Sequence, residues 1–145
     1  MRREYAAGII IYTPVMHNGL EERLYLILQY PKGYWDLVKG KCEPEEECLT
    51  TAHRELREET GLEALLDEGF EAKLNYSFTD SEGMHVYKEV SYFVGEASSL
   101  EVTLSHEHTA YQWLTYEQAI QQLTYQVAQR VLTEAEEFLK TNNNR

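Results

Sequence analysis

Cysteine is scarce in this chain of 145 residues, which holds only Cys42 and Cys48. Small secreted domains held by disulfides carry more cysteines, so a reducing compartment such as the cytoplasm is expected. The two thiols are interpreted as small half-buried side chains, because no third cysteine is available to complete a zinc site. Long apolar runs are also lacking, since no segment approaches the roughly 18 residues of a membrane-spanning helix. The opening segment MRREYAAGIIIY is interpreted as a first strand rather than a signal peptide.

Basic side chains are in deficit. The chain has 13 Lys and Arg against 25 Asp and Glu, which gives a formal net charge of −12. A large nucleic-acid-binding surface needs clustered lysine and arginine, so the net charge argues against long nucleic acids as partners. A phosphate-bearing substrate is still compatible with this charge, provided that metal ions and a few local lysines reverse its sign in the pocket.

The hydrophobic pattern predicts five strands and three helices. One helix lies between the second and third strands, and two helices follow the last strand. Strands are predicted over 6–12, 24–30, 70–78, 85–97 and 110–115. Asn18-Gly19 indicates a hairpin between the first two strands. Helices are predicted over 45–60, 116–123 and 126–140. This order predicts an α/β (α+β) fold in which a mixed sheet is sandwiched between helices, as one domain over 1–140 with a disordered tail over 141–145.

The helix predicted over 45–60 has two distinct faces. Pro44 suits its first turn and Gly61 suits its C-terminal cap. An apolar stripe that should face the sheet contains Leu49, Ala52 and Leu56. Beside it a second face carries the three carboxylates of Glu55, Glu58 and Glu59.

Such a carboxylate cluster repels itself and raises its own pKa values. Arg54 and Arg57 could compensate for the repulsion, or divalent cations could. A solvated acidic face is the ordinary interpretation of such a run. The wider spacing favours a metal site, because the chain follows G-x5-E-x7-R-E-U-x-E-E-x-G-U at all nine specified positions, where U is a bulky aliphatic residue. The matching residues are Gly40, Glu46, Arg54, Glu55, Leu56, Glu58, Glu59, Gly61 and Leu62.

With this box the chain resembles the Nudix hydrolases, which implies a Nudix fold. It also implies phosphoanhydride hydrolysis in which a metal-bound water attacks phosphorus. The cofactor implied is Mg²⁺ (or Mn²⁺), with two or more ions held by oxygen ligands. In the family, Glu58 and Glu59 would be metal ligands, and Glu55 a ligand or the base. The Gly40 carbonyl would be a further ligand, Arg54 would orient a carboxylate, and Glu46 would connect the loop to the helix.

A second resemblance covers most of the chain. Trp35, Lys39-Gly40, KLNYSF (73–78) and LSHEHTAYQWL (104–114) are similar to the asymmetrical diadenosine tetraphosphate hydrolases of the Nudix family. The resemblance implies cleavage of diadenosine tetraphosphate to ATP and AMP. It also implies a small-molecule nucleotide as partner, with no membrane, and a monomer or weak homodimer.

The same resemblance assigns substrate contacts outside the box. Tyr76 and Tyr125 would stack on the two faces of an adenine. Lys39 and Lys88 would contact the polyphosphate as point charges. Glu107 would complete the metal site or act as the base. Lys88 lies on a strand face that is otherwise apolar, which favours a role in a polar cleft.

Other interpretations stay open for several of these residues. The two tyrosines could be half-buried aromatics in a chain with 11 Tyr. His106 and His108 are interpreted as loop-capping or surface residues, and Trp35 as a structural anchor. Tyr111 and Trp113, which are two residues apart, are expected to face the core together.

The loop before the box departs from the family pattern Trp-x-x-Pro-Lys-Gly-His. Val38 replaces the usual Pro and Lys41 the usual His, while Gly33-Tyr34 occupies the place where some members have a His. These changes leave the substrate less defined than the reaction class. Hydrolysis of another nucleoside polyphosphate, removal of pyrophosphate from RNA 5′ ends, and a non-catalytic nucleotide-binding module are the alternatives.

Overall fold

A computed structural model describes residues 1–143, in which one sheet of eight strands is packed between helices. The strands are β1 (Arg2–His17), β2 (Leu20–Gln29), β3 (Trp35–Asp36), β4 (Lys39–Lys41), β5 (Ala64–Leu66), β6 (Ala72–Thr79), β7 (His85–Ala97) and β8 (Ala110–Thr115). The helices are α1 (Cys48–Thr60), α2 (Tyr116–Gln122) and α3 (Gln126–Asn143). Within residues 1–143, no helix is both long and apolar enough to cross a membrane.

Strand β1 is the centre of the sheet. It pairs antiparallel with β2 and β4 and parallel with β7, so the sheet is mixed, as the sequence predicts. Alternate residues of β1 point to opposite faces. Ile10 belongs to the core beneath α2 and α3, whereas Ile9 and Ile11 belong to the core beneath α1. The predicted arrangement of a sheet between helices is therefore confirmed.

The start of α1 differs from the prediction. The helix begins at Cys48 rather than at residue 45, and Pro44 lies outside its first turn. Glu45 has a φ of 66°, in the left-handed region, and Glu47 is extended. A local turn explains the difference, because the Glu46 amide donates to the Glu43 carbonyl and the Glu46 carboxylate accepts from the Glu43 amide. At the other end, Gly61 has a φ of 75° and caps the helix as predicted.

Other element boundaries are also corrected. Strand β1 is longer than the predicted segment 6–12, and the three-residue strand β5 was not predicted because it is too short to show alternation. Helix α3 continues to Asn143, so residues 141–143 are helical rather than part of a tail. Residues 144–145 of the predicted tail lie outside the described residues.

Two predictions about the core are only partly right. Ala52 and Leu56 are fully buried, but Leu49 in the first turn of α1 is 37% exposed. Trp113 packs against the core beneath α1, whereas Tyr111 is 41% exposed and does not serve the core.

Gly8 allows strand β4 to lie close to β1. It lies opposite Lys39 of β4 and is fully covered. A Cβ at this position would overlap the backbone carbonyl oxygen of Val38. A rigid backbone atom cannot move aside as a flexible side chain could, so the close approach requires glycine here.

Gly8→Ala should therefore destabilise the protein by roughly 1–3 kcal/mol, the usual cost of inserting a methyl group into a packed interior. The measurement is the free energy of unfolding in urea. Ser77→Ala on the exposed face of β6 is the control and should change it by less than about 0.5 kcal/mol. An unchanged unfolding free energy for Gly8→Ala would show that β4 can move away without cost.

Candidate active site

The Arg54 guanidinium connects the loop before α1 to the helix itself. Its Nε and Nη2 donate to the two carboxylate oxygens of Glu46 at 2.8 and 3.0 Å, and Nη2 also donates to the Lys41 carbonyl at 3.0 Å. Its Nη1 donates to Glu55 at 3.0 Å and to Glu58 at 3.1 Å. All five N–H donors of the side chain are thus used.

Glu46 is held from several sides. Besides Arg54, it accepts hydrogen bonds from the Glu43 amide at 3.0 Å and the Thr51 hydroxyl at 2.6 Å. The hydrogen bonds from Arg54, followed by those from Thr51 and the backbone, lower the pKa of Glu46 to about 2. It is therefore ionised at neutral pH and joins the loop to α1, the position that its predicted role requires.

Glu55 and Glu59 form a carboxylate pair on the face of α1 next to Gly40. Glu59 is only 6% exposed. Burial, a hydrogen bond with Glu55 and the charges of Glu55 and Glu107 raise the pKa of Glu59 to about 9. A Cβ on Gly40 would overlap the Glu55 carboxylate, so the glycine lets the loop backbone reach this pair. The structure therefore places Gly40, Glu55, Glu59 and Glu107 around one cluster.

Two observations indicate that this cluster fits a hard divalent cation. Oε2 of Glu59 is buried and has no hydrogen-bond partner among the described residues. The raised pKa of Glu59 reflects its burial and the charges of Glu55 and Glu107, which outweigh the opposing charge of Lys39. Within residues 1–143, no three acidic, histidine or cysteine side chains form a ready-made cage. Mg²⁺ needs none, because it is held by one or two carboxylates together with waters and substrate phosphates.

Glu58 lies at the edge of this cluster. Its side chain is 56% exposed, and its carboxylate is bound to Arg54 at 3.1 Å. Of the predicted metal ligands, Glu55 and Glu58 both accept a hydrogen bond from Nη1 of Arg54, and Glu58 is the more exposed of the two.

A pocket of about 820 Å³ opens beside the carboxylates. The four residues predicted to bind substrate, Lys39, Tyr76, Lys88 and Tyr125, all line it. The remaining lining residues are Pro31, Lys32, Tyr34, Asp36, Leu74, Val90, Tyr92, Val127 and Ala128. Lys39 connects this pocket to the carboxylate cluster, because Gly40 is the next residue in β4.

Sequence reasoning missed four polar or aromatic residues of this pocket: Lys32, Tyr34, Asp36 and Tyr92. Tyr92 could have been found, because it shares the strand face of Lys88. The other three lie in or next to the loop between β2 and β4, where no periodicity shows which side chains converge.

Two tyrosines of the pocket are partly open to solvent. Tyr76 is 44% exposed and Tyr125 is 49% exposed, so both rings are half-buried, and the exposure alone does not separate a ligand contact from an ordinary half-buried aromatic. Tyr34 stacks on Tyr30, with ring centroids 5.0 Å apart and an interplanar angle of 7°. Its ring also lies 5.6 Å from that of Tyr125, tilted by 56°. A planar ligand could therefore contact several aromatic surfaces.

Two lysines of the pocket, Lys39 and Lys88, differ in their ionic contacts. Nζ of Lys39 lies 3.1 Å from Oδ2 of Asp36. Burial alone would lower the pKa of Lys39, but the charge and hydrogen bond of Asp36 raise it. Lys88 has no such close partner in the cleft, and burial together with the charge of Lys39 lowers its pKa. Both ammonium groups create local positive potential in an otherwise acidic protein.

His106, His108 and Trp35 lie where the sequence interpretation put them or nearly so. His106 is exposed, while His108 is buried and contacts Ser105 within its own loop. Burial lowers the pKa of His108. Trp35 packs against the core beneath α2 and α3, and its amide donates to the Thr124 hydroxyl at 2.8 Å, as expected of a structural anchor. The side chain of Lys41 is 72% exposed and lies 4.0 Å from Glu4.

Comparisons with known proteins agree with this geometry. The NUDIX domain family matches residues 2–135. The chain is 38% identical to an asymmetrical bis(5′-nucleosyl)-tetraphosphatase of Mus musculus, over 92% of this chain and 94% of the relative. It is 37% identical to the corresponding protein of Sus scrofa over the same shares. A crystal structure of a C. elegans Ap4A hydrolase binary complex superposes with a TM-score of 0.81 at 28% identity, covering 95% of this chain and 98% of that chain.

The contacts of Arg54 generate a stability prediction. Lysine is a point charge and cannot reproduce the planar fork that contacts Glu46, Glu55 and Glu58 together. Arg54→Lys should therefore destabilise the protein by about 1–3 kcal/mol in urea unfolding. The control is Arg57→Lys on the same helix, whose ion pair with Glu63 is exposed on both sides and should matter by less than about 0.5 kcal/mol. Equal effects of the two substitutions would contradict a special role of Arg54.

Proposed function

This chain belongs to the NUDIX family, and from that premise we propose that it hydrolyses diadenosine 5′,5‴-P1,P4-tetraphosphate to ATP and AMP with Mg²⁺. The observation that carries the proposal is the continuity between two sites. Lys39 lines a pocket with exposed tyrosines and further lysines, and the adjacent Gly40 lies against Glu55. A nucleotide bound by its base in the pocket would thus extend its phosphates toward the carboxylates.

Divalent ions, which Nudix hydrolases generally use, would neutralise phosphate charge and lower the pKa of the water that attacks phosphorus. The residues that fit them are Glu55, Glu59, Glu107 and the Gly40 carbonyl. Glu58 would join them once its contact with Arg54 loosens. The unpartnered buried oxygen of Glu59 supports this assignment.

The polyphosphate would be positioned by the pocket lysines. Lys88 projects from β7 and Lys39 from β4, and the two are close enough for Lys39 to lower the pKa of Lys88. This mutual repulsion is relieved when a polyanion binds between them. Asp36 holds Lys39 through a 3.1 Å contact, so this ammonium is oriented before substrate arrives.

The proton of the attacking water needs an acceptor in the same cluster. Glu55 and Glu107 are the two candidates, because both lie near enough to Glu59 to raise its pKa. Arg54 donates to Glu55 and fixes its orientation on the helix. Catalysis in this arrangement depends mainly on positioning and on electrostatic stabilisation of the phosphoryl group.

Adenine would be recognised by the exposed faces of Tyr76 and Tyr125. Stacking on an aromatic ring suits any planar base, and each stack is worth roughly 1–3 kcal/mol. The Tyr76 ring is 44% exposed and the Tyr125 ring is 49% exposed. The two residues lie on different elements, β6 and the segment before α3, so one base would be contacted from two sides.

Incubation of the protein with Mg²⁺ and diadenosine tetraphosphate should yield ATP and AMP in equal amounts, resolved by anion-exchange chromatography. Glu59→Gln should lose most of the rate, because the substitution removes the charge that would hold the cation, while its circular dichroism spectrum stays unchanged. Two ADP per substrate, or no turnover, would overturn the assignment. Faster turnover of another nucleoside polyphosphate or of 5′-triphosphorylated RNA would replace the substrate but keep the reaction class.

The two tyrosines can be tested separately from the metal site. Tyr76→Ala and Tyr125→Ala should each raise KM about tenfold, with a smaller effect on kcat, because each removes one stack on the base. Tyr76→Phe keeps the ring and should restore KM. Tyr111→Ala is the matched control, since Tyr111 is a similarly exposed tyrosine that does not line the pocket. An unchanged KM in both alanine variants would contradict the proposed base site.

A further inference from the structure

A buried histidine faces the carboxylate cluster without any role in the function proposed above. Within residues 1–143, the buried side-chain atoms that lack a hydrogen-bond partner are Oε2 of Glu59 and Nε2 of His108. These two atoms lie 3.6 Å from each other, just beyond hydrogen-bond length, with the two side chains only 8% and 1% exposed. Unpartnered polar groups are costly in a protein interior, so a facing pair of them calls for a physical explanation.

The imidazole of His108 is held in a fixed orientation. Its Nδ1 lies 3.1 Å from the Ser105 hydroxyl, and its amide donates to the Ser105 carbonyl at 3.3 Å. The ring packs against the ring of Tyr30 in an edge-on arrangement, with centroids 4.5 Å apart. With Nδ1 engaged and the ring packed, Nε2 points toward Glu59.

The loop that carries His108 is fastened to the end of α1. The Ser105 amide donates to the Glu59 carbonyl at 3.2 Å, and the Thr103 amide donates to the Thr60 carbonyl at 2.9 Å. Glu107 belongs to this loop, and its own amide donates to the Ser105 hydroxyl at 3.3 Å. The position of Glu107 relative to Glu59 therefore depends on how this loop is held.

We propose that His108 is a positioning residue for the metal site, in which its Nε2–H donates to Oε2 of Glu59. This bond holds the Glu59 carboxylate and keeps the Glu107 loop against α1. The proposal rests on the proposed function, because it takes Glu59 as a metal ligand. An ionised carboxylate has about four lone-pair sites, so Oε2 of Glu59 can accept from His108, the group that faces it, while Glu59 still binds the cation. Outer hydrogen bonds of this kind set the orientation of metal ligands.

Mg²⁺ binding measured by isothermal titration calorimetry tests the proposal without relying on catalytic rates. His108→Phe keeps a planar ring against Tyr30 but removes the donor, and should weaken Mg²⁺ binding about 10- to 100-fold. His108→Gln offers a side-chain N–H near the position of Nε2 and should recover most of the affinity. His106→Gln, at the exposed histidine of the same loop, is the control and should bind Mg²⁺ like the wild type.

A second measurement needs no substitution and so does not depend on whether His108→Phe folds. Nitrogen-15 NMR of the wild-type imidazoles in the presence of Mg²⁺ should show His108 with its proton on Nε2. A proton on Nδ1 with a bare Nε2 would overturn the proposal. So would a folded His108→Phe variant that binds Mg²⁺ as tightly as the wild type. A wild-type protein that binds no Mg²⁺ would overturn the proposed function and this inference together.

Discussion

The fork of hydrogen bonds made by Arg54 is the constraint on which the site geometry depends. Its guanidinium uses one side for the Lys41 carbonyl at the end of β4 and for Glu46 of the following loop, and the other for Glu55 and Glu58 of α1. Between β4 and α1 this loop has a local turn from Glu43 to Glu46 but no helix or strand. Because one planar group with five donors contacts both the loop and α1, the backbone at the end of β4 is held at a fixed distance from the helix.

The same fork places the positive charge of Arg54 on one side of the acidic cluster. Glu46, Glu55 and Glu58 all accept hydrogen bonds from Arg54, and the pKa of Glu46 falls to about 2. Glu59 lies deeper, and with Glu55 beside it the pKa of Glu59 rises to about 9. Repulsion is thus concentrated at the buried carboxyl of Glu59, where a proton or a divalent cation would relieve it. In a protein with a net charge of −12, Lys32, Lys39 and Lys88 line the adjoining pocket and give it the positive charge that a polyanion would need.

The helix that carries the box could be predicted closely because its signal is local. Residues three and four apart on a helix are neighbours whatever the tertiary structure, so the proximity of Glu55 to Glu58 and Glu59 follows from spacing, and glycine at position 61 suits the C-terminal cap. The start of α1 could not be predicted, because Glu46 uses its side chain to close a turn with Glu43 instead of continuing a helix. Asp36 and Tyr34 were missed because only the folded loop brings them to the pocket. The meeting of His108 with Glu59 is likewise a long-range contact that no spacing reveals.

The Tyr30 side chain contacts the loop before the box, where the chain departs from the family pattern. Val38 occupies the usual position of proline, a change that gives the unfolded backbone more freedom. In the folded chain Val38 is only 1% exposed, and the Tyr30 hydroxyl donates to the neighbouring Leu37 carbonyl at 2.9 Å. The Tyr30 ring also stacks on Tyr34 of the base pocket and packs on His108 beside the carboxylates. The Tyr30 ring therefore connects three parts of the candidate site: the segment before Gly40, the pocket at Tyr34, and the loop that carries Glu107 and His108.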